Sequence, residues 1–353
     1  MNEIQTTLAR WYETHHRELP WRSNPSPYYV WLSEVILQQT RVNQGLDYFN
    51  RFVERWPSLK DLSKASEEEV LKMWQGLGYY SRARNLHQCA RQVVENHGGA
   101  FPSDFESLRK LKGIGDYTAA AIASIAFGQP HAVVDGNVYR VLSRLYDIDT
   151  PINTKEGIRT FAQLAEDLLD TEHPGRHNQA MMELGALQCV PNHPDCRQCP
   201  LQSQCLALVH HTVDERPQKE KKLKIKTRHF HYLVIRAPKG GIYLHKREGN
   251  DIWKNLYDFP CIESEKPLTA DEIIGSDFFQ NLFAGQEFVI SRISSPYVHK
   301  LTHQTIFAVF VELKILSFLT SIKTNELLLA FENELGTIPV PKLIDNYLTN
   351  SKH

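Results

Sequence analysis

Four of the six cysteines lie close together, and their spacing is the strongest chemical signal in the chain. Cys189, Cys196, Cys199 and Cys205 are separated by six, two and five residues. Four thiolates this close can enclose one metal centre, either a tetrahedral zinc ion or a cubane 4Fe-4S cluster. Structural zinc sites typically use two short Cys-x-x-Cys pairs, whereas this segment has one. The spacing therefore favours an iron–sulfur cluster over zinc, and over four unrelated buried thiols.

Two carboxylates are candidates for acid–base chemistry. Glu34 has mainly apolar neighbours at helical spacing in VWLSEVILQQT, so we expect burial to raise its pKa and make it a general acid near neutral pH. The alternative is a buried carboxyl that only satisfies neighbouring polar groups. Asp135 follows an apolar run and precedes a helix, so it either caps that helix or faces a developing cation. Two carboxyls with different pKa values form the acid and stabiliser of glycosidic bond cleavage.

A glycine-containing turn supplies a candidate phosphate site. Gly113 and Gly115 in LKGIGDYTAAAIAS predict a tight hairpin between a short helix and an alanine-rich helix. Backbone N–H groups in such a turn, together with the next helix N-terminus, can bind an anion. The hairpin could therefore hold a DNA phosphate without a basic side chain; the alternative is an ordinary turn between helices.

The elements that position these residues are mostly helices over the first 206 residues. Capping and periodicity predict helices that begin near Ser66 and Ser81, and others over 154–170 and 178–188. Beyond a basic linker at 207–228, alternating patterns predict a different architecture. Its predicted elements are a hairpin over 230–247, strands at 287–293 and 306–316, and helices at 324–335 and 341–349.

Composition limits the class of protein. The chain has 353 residues, which at about 150 residues per domain suggests two domains. It has no apolar run of about 18 residues and no signal peptide, so we expect a soluble cytoplasmic protein. The net charge of −1 does not by itself indicate a nucleic-acid binder, so a DNA function must be argued from motifs.

Several segments together resemble the adenine DNA glycosylase family of the endonuclease III-like helix-hairpin-helix superfamily. They are WLSEVILQQTRV, LKGIGDYTAAAIAS, VVDGNVYRVLSR, NQAMMELGA and the cysteine loop, and the resemblance covers residues 1–206. Residues 229–353 resemble the NUDIX-like domain of the family. The resemblance implies a multidomain fold, in which an all-α helix-hairpin-helix glycosylase domain with an iron–sulfur cluster loop precedes a smaller α+β NUDIX-like domain. The helical domain would have a six-helix core at about 28–135, and the N-terminal segment with 136–206 would form the cluster subdomain.

The resemblance also implies an activity. The family flips out and excises adenine mispaired with 8-oxoguanine or G in double-stranded DNA, in base excision repair. By resemblance, Glu34 protonates adenine N7, and Asp135 stabilises the oxocarbenium ion or bonds to the sugar carbon before water completes hydrolysis. The positions that match the catalytic and adenine pocket are Tyr117, Asn137, Trp21, Arg22 and Gln179. Those that match the duplex wedge and the 8-oxoguanine contacts are Gln39, Thr40, Leu77 and Tyr79. A nucleoid-associated monomer that binds DNA and no membrane is therefore expected.

Three departures refine this expectation. Tyr117 stands where bifunctional relatives carry a Schiff-base lysine, and a phenol cannot form a Schiff base, so the enzyme should be monofunctional.

The C-terminal domain lacks the acidic NUDIX box and is expected to contact DNA rather than hydrolyse pyrophosphates. Its Thr302 and His303 align with a family Phe-Ser-His element that senses 8-oxoguanine, although Leu301 lacks the aromatic ring. The first cysteine loop, often basic in relatives, has no Lys or Arg, so Arg197, His193 or backbone amides would meet phosphates there.

Two other functions fit part of the pattern. One is an oxidised-pyrimidine or thymine glycosylase with lyase activity, against which Tyr117 and the extra C-terminal domain count. The other is a non-catalytic, cluster-bearing DNA-binding protein, against which the retention of both Glu34 and Asp135 counts.

Overall fold

The structure, a computed structural model, describes residues 2–220, 225–238, 240–319 and 327–350. The chain folds as two compact units. Unit 1 comprises Met1–Lys64 and Asn85–Lys221, and unit 2 comprises Ala65–Arg84 and Lys222–His353. Within the described residues, no helix combines the length and the apolar composition that crossing a membrane requires.

Unit 1 is built from α-helices and turns. Its helices are α1 (Glu3–His15), α2 (Pro20–Ser23), α3 (Pro27–Leu37), α4 (Val42–Arg55), α5 (Leu59–Lys64), α8 (Phe105–Arg109), α9 (Asp116–Phe127), α10 (Gly136–Leu145), α11 (Lys155–Leu168), α12 (Pro174–Leu187) and α13 (Leu206–Val209). The helix α6 (Glu67–Trp74) lies in unit 2, and α7 (Ser81–His97) begins there and continues into unit 1. The helices predicted at 154–170 and 178–188 correspond to α11 and α12.

One core of unit 1 joins the N-terminus to the segment after residue 135. Leu8 and Trp11 of α1 pack with Leu142 of α10, Phe161 of α11 and Leu184 of α12. Each of these side chains is at most 8% exposed. This core packs the N-terminal helix α1 against α10, α11 and α12.

Unit 2 contains a mixed sheet with helices, as the sequence predicts. Its strands are β1 (Lys226–Arg236), β2 (Ile242–Lys246), β3 (Tyr257–Asp258), β4 (Cys261–Ser264), β5 (Phe288–Ile293), β6 (Tyr297–Lys300), β7 (Gln304–Ile315) and β8 (Leu327–Ala330). The strand order is β3-β2-β1-β7-β5, in which β1 and β7 are parallel, while β4 pairs with β1, β6 with β7 and β8 with β2. Its C-terminal helices are α14 (Ala270–Ile274), α15 (Asp277–Leu282), α16 (Glu332–Leu335) and α17 (Lys342–Asn350).

The observed units differ from the predicted boundaries at residues 65–84, which the sequence assigns to the helical domain. In the structure these residues bond to the C-terminal sheet and its helices. The Lys246 ammonium donates to the Glu68 carboxylate at 2.6 Å, and the Gln75 amide donates to Asp345 at 3.0 Å. These contacts join residues distant in sequence, so local periodicity could not reveal them.

The predicted linker is also shorter than 207–228. The helix α13 begins at Leu206, and the amide of Ile152 donates to the carbonyl of Gln218 at 3.0 Å. Lys226 already begins β1. These contacts attach residues up to 220 to unit 1, while 221–224 lie outside the described residues.

The helix predicted at 324–335 is partly wrong. Residues 327–330 form β8, which pairs with β2 in the register Ile242↔Ala330, and only Glu332–Leu335 is helical. Residues 324–326 lie outside the described part of the chain. The leucines at 327–329 are equally compatible with a helix or a buried strand. Pairing with β2 makes this segment a strand.

Candidate active site

A cleft of about 970 Å³ in unit 1 collects most of the predicted catalytic and DNA-binding residues. They come from several local elements, namely α2, α3 and the turn after it, α9, the start of α10, and α12. The predicted residues that line the cleft are Trp21, Arg22, Glu34, Gln39, Thr40, Tyr117, Asp135, Asn137 and Gln179. Nine side chains chosen from sequence therefore share one concave surface.

Glu34 is the buried acid of this cleft. It lies on α3, whose Ser26 N-cap and apolar face hold it against the core, and it is 8% exposed. Burial raises the pKa of Glu34 to about 7, and the nearby Asp135 charge acts in the same direction. The Tyr117 hydroxyl donates to Glu34 Oε2 at 2.6 Å and opposes that rise. Glu34 is thus poised to be protonated near neutral pH.

Asp135 is both a helix cap and a member of the cleft. Its Oδ1 accepts hydrogen bonds from the backbone amides of Asn137 and Val138 at 2.8 Å, and Asn137 Nδ2 donates to Oδ2 at 2.7 Å. Burial is the largest effect and raises the pKa of Asp135 above its usual value, although these hydrogen bonds and the Arg140 charge oppose the rise. The two interpretations drawn from the sequence are therefore compatible, since the cap fixes the carboxylate in the cleft.

The residues before Asp135 are fixed from α12. Asn178 is buried, and its Oδ1 accepts from the amide of Val133 at 3.0 Å. Its Nδ2 donates to the carbonyl of His131 at 2.8 Å and to Ser124 Oγ at 2.9 Å. These bonds replace strand pairing for the extended segment that delivers Asp135 to the cleft.

Glu183 is a site residue that the sequence analysis missed. It is 1% exposed, and the guanidinium groups of Arg17 and Arg22 both donate to it, the latter through two bonds at 2.9 and 2.8 Å. Although burial raises the pKa of Glu183, these hydrogen bonds lower it to about 2. The paired charges hold Arg22 in place beside the cleft. The sequence does offer one signal for Glu183, because it lies one helical turn after the predicted site residue Gln179.

Gln179 is oriented from the N-terminal helix. The Tyr12 hydroxyl donates to Gln179 Oε1 at 3.2 Å, so the side-chain amide has a preferred orientation. Gln39, which also lines the cleft, is exposed, has a left-handed φ of 57°, and follows the end of α3 with Thr40. Gln179, Gln39 and Thr40 thus all contribute hydrogen-bonding groups to the cleft.

The helix α10 connects the cleft with the cysteine loop. Arg140 donates to Asn137 Oδ1 at 2.9 Å and to the carbonyl of Cys189 at 2.6 Å. Arg144 is 2% exposed, and its guanidinium donates to Cys189 Sγ at 3.4 Å and to the carbonyl of Val190 at 2.8 Å. Sequence periodicity identifies α10 but not these two arginines. Their bonds link the first cysteine to the start of α10, where Asp135 and Asn137 lie.

The four cysteines of the loop line one small cavity of about 30 Å³, and all are free thiols of intermediate burial. A single zinc ion with bonds of about 2.3 Å would bring its sulfur ligands to about 3.8 Å from one another. Among the described residues, no three of these sulfur atoms lie within 4.8 Å of one another. The donor set, four sulfurs and no other ligand type, therefore fits a larger sulfur-ligated centre better than one zinc ion.

The glycine hairpin has the predicted turn geometry. Gly113 has a φ of +76°, and a Cβ there would lie 2.7 Å from Asn85 Cβ, so the position requires glycine. Gly115 is the N-cap of α9. Asp116, which would repel an anion, forms an ion pair with Arg109 at 2.6 Å. This arrangement leaves the turn able to face a phosphate.

The remaining predicted residues lie in unit 2. Thr302 and His303 are exposed at the tip of the β6–β7 hairpin, closed by a bond from the amide of Leu301 to the carbonyl of Gln304 at 2.8 Å. The Tyr79 hydroxyl bonds with Thr302 Oγ1, and Tyr79 is 43% exposed. Leu77, in contrast, is 8% exposed, so it does not project as a wedge in this structure.

The helical part and the sheet-containing part of the chain each match a known protein family. Residues 32–166 match the HhH-GPD superfamily base excision DNA repair protein family, and residues 231–350 match a NUDIX domain. The chain is 33% identical over 306 residues to the adenine DNA glycosylase of Buchnera aphidicola subsp. Baizongia pistaciae, covering 85% of this chain and 83% of that protein.

Two further similarities are less extensive. The adenine DNA glycosylase of Mus musculus is 48% identical over 213 residues, 58% of this chain, which spans 41% of the mouse protein's length. A solved structure of a thermostable thymine-DNA glycosylase is 27% identical with a TM-score of 0.54, covering 59% of this chain and 95% of that one. The chain thus spans less than half the length of its mouse relative.

Proposed function

The chain belongs to the adenine DNA glycosylase family, and from this premise we propose that it hydrolytically excises adenine mispaired with 8-oxoguanine or guanine in double-stranded DNA. The observation that carries this proposal is the buried Glu34, whose pKa is about 7, in one cleft with Asp135. An adenine that is stacked in a duplex cannot reach this cleft, so the nucleotide must be flipped out at a cost of a few kcal/mol.

Glu34 is the proton donor in this mechanism. The Tyr117 hydroxyl donates a hydrogen bond to Oε2 of Glu34. Oε1 of Glu34 is therefore the oxygen that carries the proton toward adenine N7. Protonation makes the base a better leaving group, since the electrons of the C1′–N9 bond can then pass into a neutral adenine. The Arg22–Glu183 pair and Gln179 hold polar groups against the bound base.

Asp135 balances the positive charge that develops on the sugar. Three hydrogen bonds directed at its two oxygens favour the ionised carboxylate despite its burial. A negative charge fixed beforehand stabilises the oxocarbenium-like transition state without reorganisation. Water then adds to the sugar carbon and leaves an abasic site.

Among the described residues, no lysine lines the cleft, so none of them supplies an amine for strand cleavage. Tyr117 occupies the position at which a Schiff-base lysine would be expected, and burial raises its pKa well above the usual value. The phenol therefore serves as a hydrogen-bond donor to Glu34. We propose a monofunctional enzyme on this basis.

Product analysis tests the proposed function. Duplexes that contain A opposite 8-oxoguanine, A opposite G, thymine glycol or a G–T mismatch are incubated with the protein and analysed with and without alkali. We expect adenine release from the first two, with strand scission appearing after alkali treatment. Cleavage of a pyrimidine substrate with no excision of adenine, or direct strand scission at adenine, would contradict the proposal.

Binding of the duplex is proposed to use backbone and polar groups. The Gly113–Gly115 turn would hold a phosphate, as helix N-termini with preceding glycines do. Gln39 and Thr40 would contact the bases at the site that the adenine has left. The burial of Leu77 favours Gln39 and Tyr79 over Leu77 as the residues inserted into the duplex.

The hairpin tip of unit 2 is proposed to distinguish 8-oxoguanine from guanine. The Thr302 hydroxyl bonds with the hydroxyl of Tyr79, whose ring is partly exposed, and the exposed His303 imidazole follows Thr302 in the chain. Polar groups of this kind can bond atoms that differ between the two bases. The aromatic ring supplied by Tyr79 compensates for the leucine at position 301.

Replacing both residues tests this assignment. Thr302→Ala with His303→Ala is expected to reduce the preference for A opposite 8-oxoguanine over A opposite G by about 1–3 kcal/mol. Single-turnover rates and affinities on the two duplexes give this preference, and Ser295→Ala, an exposed loop residue of the same unit, is the matched control. An unchanged preference would place 8-oxoguanine recognition outside the hairpin tip.

The cysteine loop is proposed to hold a 4Fe-4S cluster through Cys189, Cys196, Cys199 and Cys205. A bound cluster would fix the loop, and through Arg140 and Arg144 it would stabilise the start of α10. The activity proposed above requires no electron transfer, so the cluster is assigned a structural role.

The metal content of the purified protein tests the cluster. Protein made in iron-replete, anaerobic conditions is expected to contain about four irons per chain, and Cys199→Ser to lose most of them together with thermal stability. Elemental analysis and a melting curve measure both effects. Cys89→Ala, which alters a buried thiol of α7 outside the loop, should keep its iron. Stoichiometric zinc without iron would contradict the assignment.

A further inference from the structure

A second groove of unit 1 adjoins the catalytic cleft and has no role in the mechanism above. Its volume is about 470 Å³, within the range of about 300–1,000 Å³ that is usual for small-molecule sites. The end of α1, the end of α2 with the loop after it, and the first turns of α12 form its walls. We call it the exit groove, and its own lining includes Tyr12, His16, Ser23, Pro25 and Arg176.

Only a thin wall of side chains separates the exit groove from the cleft. Arg22, Ile125 and Gln179 line both spaces, so each of these side chains has the cleft on one side and the groove on the other. Arg22 is fixed by two bonds to Glu183 at 2.9 and 2.8 Å. Gln179 is held by the Tyr12 hydroxyl at 3.2 Å, which is longer than the usual O–H···O range of about 2.5–3.0 Å. Gln179 is therefore held less tightly than Arg22.

The chemistry of the exit groove suits a neutral, planar purine. The rings of Tyr12 and His16 stack at 4.9 Å, and the Arg22 guanidinium lies 5.7 Å from the centre of the Tyr12 ring. Aromatic rings and guanidinium planes are the surfaces on which nucleobases stack. The Tyr12 hydroxyl, the Gln179 amide and Ser23 offer the hydrogen bonds that an adenine edge requires.

After excision, the free adenine needs a route out of the cleft. After the C1′–N9 bond breaks, the sugar is still part of the DNA strand and occupies the cleft mouth through which the nucleotide came in. The free base is then enclosed by the abasic strand on one side and by the wall of Arg22, Ile125 and Gln179 on the other.

We propose that free adenine leaves through the exit groove, which binds it transiently after Gln179 swings away from Tyr12. This inference rests on the proposed adenine excision. It assigns a product site to residues that the cleft does not include, among them His16, Ser23 and Pro25, and it separates the route of the DNA from the route of the base. Release of adenine can then precede dissociation of the abasic duplex.

The test separates bond cleavage from base release. Duplex DNA carrying tritium-labelled adenine opposite 8-oxoguanine is mixed with excess enzyme. Acid-quenched samples heated in alkali report cleavage, and filter-retained enzyme–DNA complexes report adenine that is still bound. Ser23→Trp and, at an independent backbone position, Pro25→Trp fill the groove from exposed sites. Ser23→Ala removes the hydroxyl without adding bulk, and Ser103→Trp adds the same bulk at an exposed site outside the groove.

Both tryptophan variants of the groove are expected to cleave at within about twofold of the wild-type rate and to release adenine roughly tenfold more slowly, a barrier increase of about 1.4 kcal/mol. Ser23→Ala and Ser103→Trp should match the wild type in both measurements. Wild-type release rates in both groove variants would overturn the proposal, as would cleavage that falls in parallel with release. A wild-type protein that does not cleave at adenine would instead contradict the proposed function.

Discussion

The replacement Glu34→Gln is expected to lower the single-turnover rate of adenine excision by about 10²–10⁴-fold while the affinity for the mismatched duplex is retained. Glutamine keeps the shape of the side chain and can still accept the Tyr117 hydrogen bond of 2.6 Å. It has no proton of suitable acidity to give to adenine N7. The loss therefore isolates the proton-transfer step from binding and folding.

The pH profile of the same reaction supplies a second measurement. Because burial raises the pKa of Glu34 to about 7, its protonated form predominates below that pH and declines above it. Excision by the wild type should accordingly fall as pH rises through about 7, and Glu34→Gln should lose this dependence. Glu183→Gln is the comparison carboxyl, since the pKa of Glu183 is about 2 and it stays ionised over that range. Near-normal excision by Glu34→Gln would remove Glu34 from the acid role.

The two carboxyls proposed to be catalytic could be found from sequence because their local setting is informative. Glu34 lies among apolar residues on a helix, and Asp135 lies between an extended apolar run and a helix. Both patterns depend on neighbours within four residues. The Gly113 turn was predictable for the same reason, since a φ of +76° is a property of one residue.

The supporting residues depend on contacts between distant segments. Glu183 acquires its role from Arg17 and Arg22, which are more than 160 residues away in the chain. Arg140 acquires its role from the carbonyl of Cys189. No periodicity encodes such pairings, so sequence reasoning reached the residues proposed to react and missed those that hold them in place.

The same limit applies to the division of the chain into units. The helix α6 has an ordinary capping box at Ser66 and Glu69 and was predicted as a helix. It lies in unit 2, where Glu67 and Glu68 accept hydrogen bonds from Asn255 and Lys246. Charged residues at a helix N-terminus are common without partners, so composition gave no reason to expect this docking.

The replacement Asp135→Asn is expected to reduce adenine excision by about 10²–10³-fold, the usual cost of removing one fixed electrostatic contact from a transition state. The amide has no charge with which to balance the developing sugar cation. Asparagine caps helices as well as aspartate does, so the two bonds from the backbone amides of Asn137 and Val138 should persist. The Asn137 Nδ2 group would then face the NH₂ of the new side chain, which cannot accept its hydrogen bond. Losing this bond would cost about 1 kcal/mol.

Single-turnover excision and thermal unfolding, measured together, separate the two roles of Asp135. Asp135→Ala removes both the charge and the cap, so it should lose excision to a similar extent and also lose a further ~1 kcal/mol or more of stability. If Asp135→Asn unfolded as readily as Asp135→Ala, the carboxylate would be chiefly a cap. If it melted close to the wild type and still excised adenine at the wild-type rate, the sugar cation would need another counter-charge. Excision lost in a stably folded Asp135→Asn protein is the result that places the carboxylate in the reaction, because the helix cap and the fold would be preserved while the charge and the bond from Asn137 Nδ2 are lost.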